Sequence, residues 1–228
     1  MKAPSKKSED TKNRILAVAL EIIQETGDFD LPMRKLAARA QVSLRTPYEL
    51  FGSKGQIIGA LLLRDQASYG KVAAVIQSID ELDNIFDRLG LGIMVFARNE
   101  PFYRALFLAT QAYTPGQNDD EPARENLRSF RILCRRASRA GLIRPEIDPW
   151  LVGEALTDVF SANVRTWARS SLDIRLLELK IKFGMACVLA SAAPEPAAAR
   201  MRMRMVEFQK AIADFGGQAS ATKSGSGA

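Results

Sequence analysis

Apolar residues recur every three to four positions along almost the whole chain, and no convincing stretch alternates apolar with polar. A 3.6-residue period buries one face of a helix, whereas a half-buried strand needs a period of two. The sequence therefore predicts an all-α protein. A first helix spans about 9–26, with Ile15, Val18, Ala19, Ile22 and Ile23 on one face and Gly27 as its stop. A long helix is expected from about Lys54 through Gln77, then helices at about 81–99, after Pro101 and at about 121–140. The last of these ends at Gly141, with Leu142 placed for a C-terminal cap contact. Asp148–Pro149 starts a helix reaching Arg169, and Ser170 or Ser171 starts another extending to about Ala192.

Residues 30–54, DLPMRKLAARAQVSLRTPYELFGSK, read as two short helices with a tight turn. Asp30 is able to cap the first, and Pro32 sits near its first helical position. Leu36, Ala37 and Ala40 give it a narrow apolar stripe, and Val42 is the turn residue that must be buried. The second helix, roughly Leu44–Phe51, carries Arg45, Thr46 and Tyr48 on one side and Leu50 and Phe51 on the other. Such a helix fits a major groove. Its start has two readings. Either Ser43 caps it and Pro47 distorts the first turn, or Thr46 caps it, with Pro47 first and Glu49 closing a Thr-x-x-Glu capping box. The Ser43 start is the preferred expectation.

Residues 11–62 resemble the DNA-binding domain of TetR-family transcriptional regulators. The pattern Val-Ser-x-x-Thr-x-Tyr-x-x-Phe-x-x-Lys runs in full from Val42 and Ser43 through Thr46, Tyr48 and Phe51 to Lys54. Pro47 departs from it, standing where a helix-tolerant apolar residue is frequent. The resemblance implies an N-terminal three-helix DNA-binding domain with a helix-turn-helix, plus a larger C-terminal helical ligand-binding and dimerisation domain. The expected divisions are a flexible tail at 1–8, the DNA-binding domain at 9–55, the regulatory and dimerisation domain at 56–216, and a disordered tail at 217–228, where the sequence is low-complexity. Arg45 and Thr46 are the best candidates for base edges, since arginine reads guanine O6 and N7 bidentately. By resemblance Arg34 matches a base-contacting arginine, and Tyr48 and Lys54 reach phosphates. Leu44 is able to meet a thymine methyl, and Ser43 completes the surface. Lys35 or Arg39 is able to serve the DNA backbone, and Lys2, Lys6 and Lys7 form either an electrostatic arm or a solvated tail.

Later helices carry the second domain. The helix ending at Arg169 presents Val152, Ala155, Leu156, Val159, Phe160, Val164 and Trp167. Its successor has two apolar tracks, Leu172–Leu176–Phe183–Cys187 and Leu177–Ile181–Met185–Val188. A helix apolar around much of its girth must be covered on more than one side. Both tracks are buried in one subunit, or one packs the core while the other joins a symmetry mate in a four-helix interface. The homodimer is the expectation, with Leu156, Phe160, Leu177, Ile181, Gly184, Met185 and Val188 as candidate interface residues. The aromatics Phe96, Phe102, Tyr103, Phe107, Tyr113, Trp150 and Trp167 are candidates to line an effector pocket. By resemblance, a small apolar or aromatic effector of unknown identity releases a repressor from a palindromic double-stranded operator.

The chain has 228 residues, 47% of them hydrophobic, and a formal net charge of +6, an ordinary soluble balance that favours polyanionic partners. It has no histidine and two cysteines, Cys134 and Cys187, which are expected to be reduced and buried. With no histidine, no P-loop and no Gly-x-Ser-x-Gly elbow, neither an enzyme nor a metal site is expected, and no cofactor. Carboxylate pairs such as Asp119–Asp120 read as solvated loop residues. No apolar run approaches the roughly 20 residues of a membrane span, so no membrane partner is expected, and a cytoplasmic location is. The alternative from another class is a non-enzymatic helical protein-interaction or scaffold module.

Overall fold

The computed structural model describes residues 6–26, 31–73, 77–111 and 121–224. Every regular element among them is helical: α1 (Lys6–Thr26), α2 (Met33–Arg39), α3 (Arg45–Phe51), α4 (Lys54–Ala73), α5 (Glu81–Arg98), α6 (Glu100–Gln111), α7 (Glu121–Arg139), α8 (Pro149–Arg169), α9 (Ile174–Ala192) and α10 (Ala197–Ser224). They form two compact units. One holds α1–α3, α4 as far as Gly70, and α6; the other holds α5, most of α7, and α8–α10. The division does not follow the 55/56 boundary read from the sequence, because α6 and most of α4 cluster with the N-terminal helices. Asp30, Gly27, Tyr113, Asp119 and Asp120, and the side chains of Lys2, Lys6 and Lys7, lie outside the described residues.

In the first unit, Ile15, Ala19, Ile22 and Ile23 of α1 close over Leu31, Leu36, Ala40, Ile57 and Leu61, all buried. Val42, Phe51 and Phe102 pack partly against the same cluster. Burying an aliphatic side chain stabilises by about 1.5–3 kcal/mol, so this cluster fixes the angle at which α2 and α3 leave α1. The turn between α2 and α3 is a Schellman cap. The amide of Gln41 donates to Ala38 O and that of Val42 to Ala37 O, with Gln41 at φ 53°. Glycine usually holds that left-handed position; here a glutamine does. The same cap, with Gly141 at φ 73°, ends α7: Gly141 donates to Ser138 O and Leu142 to Ala137 O, as the sequence leads one to expect.

In the second unit α9 packs against α8, α10 and α5. Asp148 caps α8, accepting from the Trp150 amide at 2.8 Å, and Pro149 takes the first helical position. The start expected at Ser170 or Ser171 is corrected. Asp173 caps α9, accepting from the Arg175 amide at 2.7 Å with its charge at the positive end of the helix, while Ser170 Oγ accepts from the Leu172 amide before the helix begins. The expected tails are corrected likewise. Helix begins at Lys6, and α10 runs as helix to Ser224.

Candidate nucleic-acid interface and the helical second unit

The α2–turn–α3 segment decides between the two readings of its start. Leu44 already has helical backbone angles, φ −57° and ψ −27°. The Thr46 amide donates to Ser43 O at 3.1 Å and lies 3.3 Å from Ser43 Oγ, while the Ser43 and Thr46 hydroxyls share a hydrogen bond of 2.9 Å. Ser43 therefore caps the helix, and Thr46 is a first-turn residue. Pro47 fits without a broken bond. The Ser43 carbonyl, which an amide at position 47 would have used, is taken by Thr46, and the proline ring is buried.

Around that frame the expected residues separate by exposure. Arg45 is 83% exposed at its side chain, Leu44 is 45% exposed and Tyr48 44%, so α3 holds out a cation, an apolar tip and a phenol. Ser43 and Arg34 are exposed and Thr46 is half-buried. Lys54 opens α4, whose cap is Ser53: its Oγ accepts from the Gln56 amide at 3.2 Å. The helix N-terminus and the lysine together form an anion-attracting corner.

Lys35 and Arg39, either of which is expected to be able to serve the DNA backbone, also pair within the chain. Arg39 donates both to Glu25 Oε1 at 2.8 Å and to Oε2 at 2.6 Å, and reaches Glu21 at 3.4 Å; Lys35 lies 3.5 Å from Glu25. Both cations are held by acidic residues of α1 and serve the fold. The Arg39 bond holds the Glu25 carboxyl below its ordinary value, and Glu25 in turn raises Arg39. Arg14 also acts locally, donating from Nε to the α2 C-terminal carbonyl of Ala40 at 2.9 Å. Sequence reading missed Arg14 and Glu25, and offered a capping role rather than an ion pair for Glu49. The last forms an ion pair with Arg45 at 2.6 Å, and its i,i+4 spacing was the available signal.

The described aromatic candidates divide between the two units. Phe102 and Tyr103 meet edge-on at 5.1 Å within the first unit, and Phe107 is half-buried on the same helix. Trp150 is 44% exposed, with Arg131 and Arg135 stacked at 4.8 and 5.6 Å. It is a surface residue because it lies in the first turn of α8, beside an arginine-rich face of α7. Only Phe96 and Trp167 stay together in the second unit, stacked at 6.2 Å with Trp167 fully buried.

Four of the seven candidate interface residues are corrected. Leu156, Leu177, Ile181 and Met185 are each 0% exposed within the single chain, so they are core. A Cβ on Gly184 would sit 2.8 Å from Val159 Cγ1, which places Gly184 at the α8–α9 crossing. Phe160 and Val188 are half-buried, and Phe160 faces Phe130 of α7 at 6.1 Å. The other track of α9, Leu176, Phe183 and Cys187, is only half-covered, as is Leu172 just before the helix. Burial pushes the Cys134 thiol up to about 12 and raises Cys187 also, so neither is a ready nucleophile. Among the described residues no group of three or more Cys, Asp or Glu could hold a metal ion, and no helix is long and apolar enough to cross a membrane.

No family model and no curated protein matches the chain. Solved structures do. RolR in complex with resorcinol matches with a TM-score of 0.67 at 16% identity, over 89% of this chain and 96% of that one. SmeT, the repressor of the Stenotrophomonas maltophilia multidrug efflux pump SmeDEF, matches with 0.61 at 16%, over 82% and 92%. TylP, a TetR regulator from Streptomyces fradiae, matches with 0.59 at 19%, over 91% and 99%. Across nearly the full length, the chain has the fold of TetR-family regulators.

Proposed function

We propose that this chain, built on the TetR-family fold, is a non-enzymatic, sequence-specific DNA-binding transcriptional regulator: a repressor released from its operator by a small apolar or aromatic effector. The observation that carries the reading is the α3 surface. A helix anchored by buried Pro47 and half-buried Phe51 projects Arg45, Leu44 and Tyr48 into solvent, one turn from the α4 N-terminus and Lys54. In a major groove Arg45 addresses a guanine edge with Thr46 and Leu44 beside it, Arg34 reaches a further base, and Tyr48 and Lys54 take the phosphate walls.

One such module offers few base contacts, so the reading includes a homodimer on a palindromic operator. The half-covered α9 track of Leu176 and Phe183 supports it, since it leaves apolar surface for a symmetry mate after Leu177 and Ile181 have filled the core. The Phe96–Trp167 stack supports an aromatic effector as the ligand of the second unit. RolR, crystallised with resorcinol, and SmeT, a repressor, support effector class and sign. Effector binding would change the spacing of the two DNA readers.

The test is a pair of variants titrated with duplex at several salt concentrations. Arg45→Ala relaxes sequence preference by about 1–3 kcal/mol at one base pair. Lys54→Ala weakens all duplexes about equally and flattens the salt slope by about one unit. If both bound selected and random DNA as the wild type does, the reading would fall.

A further inference from the structure

On the solvent face of α3 a carboxylate stands among the groups aimed at DNA. Glu49 is 54% exposed at its side chain and lies 2.6 Å from Arg45 Nε through Oε1. Its position makes little sense for the helix alone. Glu49 falls in the last turn of a helix that ends at Phe51, where the macrodipole disfavours an anion. It follows Arg45 in the chain, the weaker order for an i,i+4 pair, and an exposed pair of this kind contributes little to stability. Toward phosphates it is repulsive. Base edges are the one nearby chemistry that a carboxylate suits.

We infer that Arg45 and Glu49 form a single reading unit for a guanine–cytosine base pair, an inference that rests on the DNA-binding reading above. With Glu49 Oε1 on Nε, the guanidinium would turn Nη1 and Nη2 to the base as two parallel donors, and the carboxylate would offer Oε2 as the acceptor. The sequence of groups is donor, donor, acceptor. A G·C pair presents guanine N7 and O6 as acceptors and the cytosine N4 amino group as donor, in the complementary order across the major groove. Arg45 takes guanine and Glu49 takes the cytosine amino group. Where thymine stands in place of cytosine, its O4 meets the carboxylate with a second acceptor, so Glu49 also excludes T at that position. Glu49 is thus both a specificity-determining residue and the group that positions Arg45.

Selection of binding sites from a random duplex pool, followed by titration of the single-base-pair variants of the winning site, tests this with the full chain, its Arg45→Ala variant, and both Glu49→Ala and Glu49→Gln. The base pair at which Arg45→Ala loses discrimination is the one to examine. The expected result is a G·C pair there, favoured by the wild type roughly tenfold or more over T·A and A·T. Both Glu49 variants should lose several-fold of that preference while binding random DNA as well as or better than the wild type. A merely structural Glu49 would lower affinity for every duplex alike. That outcome, an A·T pair at the Arg45 position, or Glu49 variants with wild-type discrimination there would each overturn the inference. Failure of the wild type to enrich any duplex would instead overturn the DNA-binding reading on which it stands.

Discussion

Arg204 of α10 places a guanidinium nitrogen 2.5 Å from the carboxylate of Asp83 on α5, and Asp83 is only 3% exposed. The same guanidinium lies 4.9 Å over the Phe86 ring, which itself meets Phe208 of α10 at 5.9 Å. One turn away Arg200 pairs with Asp80, the residue whose carboxylate caps α5 by accepting from the Leu82 and Asp83 amides. Two cations on α10 thus match two carboxylates at the start of α5, and α10 is fastened to the second unit by charge as well as by its buried Met201.

Arg204→Ala strands a buried carboxylate. The expected cost is roughly 2–3 kcal/mol, below the 3–5 of a fully enclosed pair because Arg204 retains some access to water. Arg204→Met combined with Asp83→Leu should recover much of it. Urea unfolding of the three proteins is the measurement.

Acid should loosen the same corner. Burial pushes the Asp80 carboxyl up, but the Asp83 amide, the Arg200 guanidinium and the Leu82 amide outweigh that and hold it below its ordinary 3.8. A lowered folded value means that the stabilisation is complete above 3.8 and disappears as pH falls through the lower folded value. Wild-type stability should therefore drop more steeply below pH 3.8 than that of Asp80→Asn, measured by denaturant midpoints across pH.

Glycine and non-glycine backbones give a third expectation. Gln41 occupies a left-handed conformation at φ 53° in the turn between α2 and α3. Gln41→Gly should raise stability by up to about 1 kcal/mol, and Gln41→Val should lower it, because β-branched residues tolerate that region worst. Gly153 shows the opposite case: a Cβ there would lie 2.9 Å from Arg131 Cα and N. Gly153→Ala should cost about 1–3 kcal/mol, since backbone cannot step aside. Thermal melts of the three variants decide the signs.

The half-covered face of α9 should separate assembly from folding. Leu176→Glu with Phe183→Glu places charge on the face proposed for the symmetry mate, and is expected to yield a helical monomer in sedimentation. Leu177→Glu buries a charge at a 0% exposed site and is expected to unfold the second unit. Monomeric wild type at every concentration would contradict the dimer.

What could be read in advance follows the range of the interactions. Helix periods, the Asp148–Pro149 start and the Gly141 cap are written in neighbouring residues, and all appear in the structure. Ser43 and Thr46 also show their relation locally, though Pro47 obscured it until the Ser43 carbonyl was seen to be taken by Thr46. Long-range choices were not legible. Nothing near Arg39 in the sequence announces that Glu25 holds it, or that Phe102 packs with α1 while Phe96 meets Trp167. The two tracks of α9 are both apolar in sequence, and the placement of α10, α8 and α5 decides which one becomes core.

Selection from a random pool of double-stranded DNA by the purified full chain is the most direct measurement of what α3 is for. The expected result is enrichment of a palindrome whose half-sites lie about one helical turn apart, or a small multiple of it, with the preference relaxed in Arg45→Ala. Recovery of a pool as random as the one supplied would contradict it.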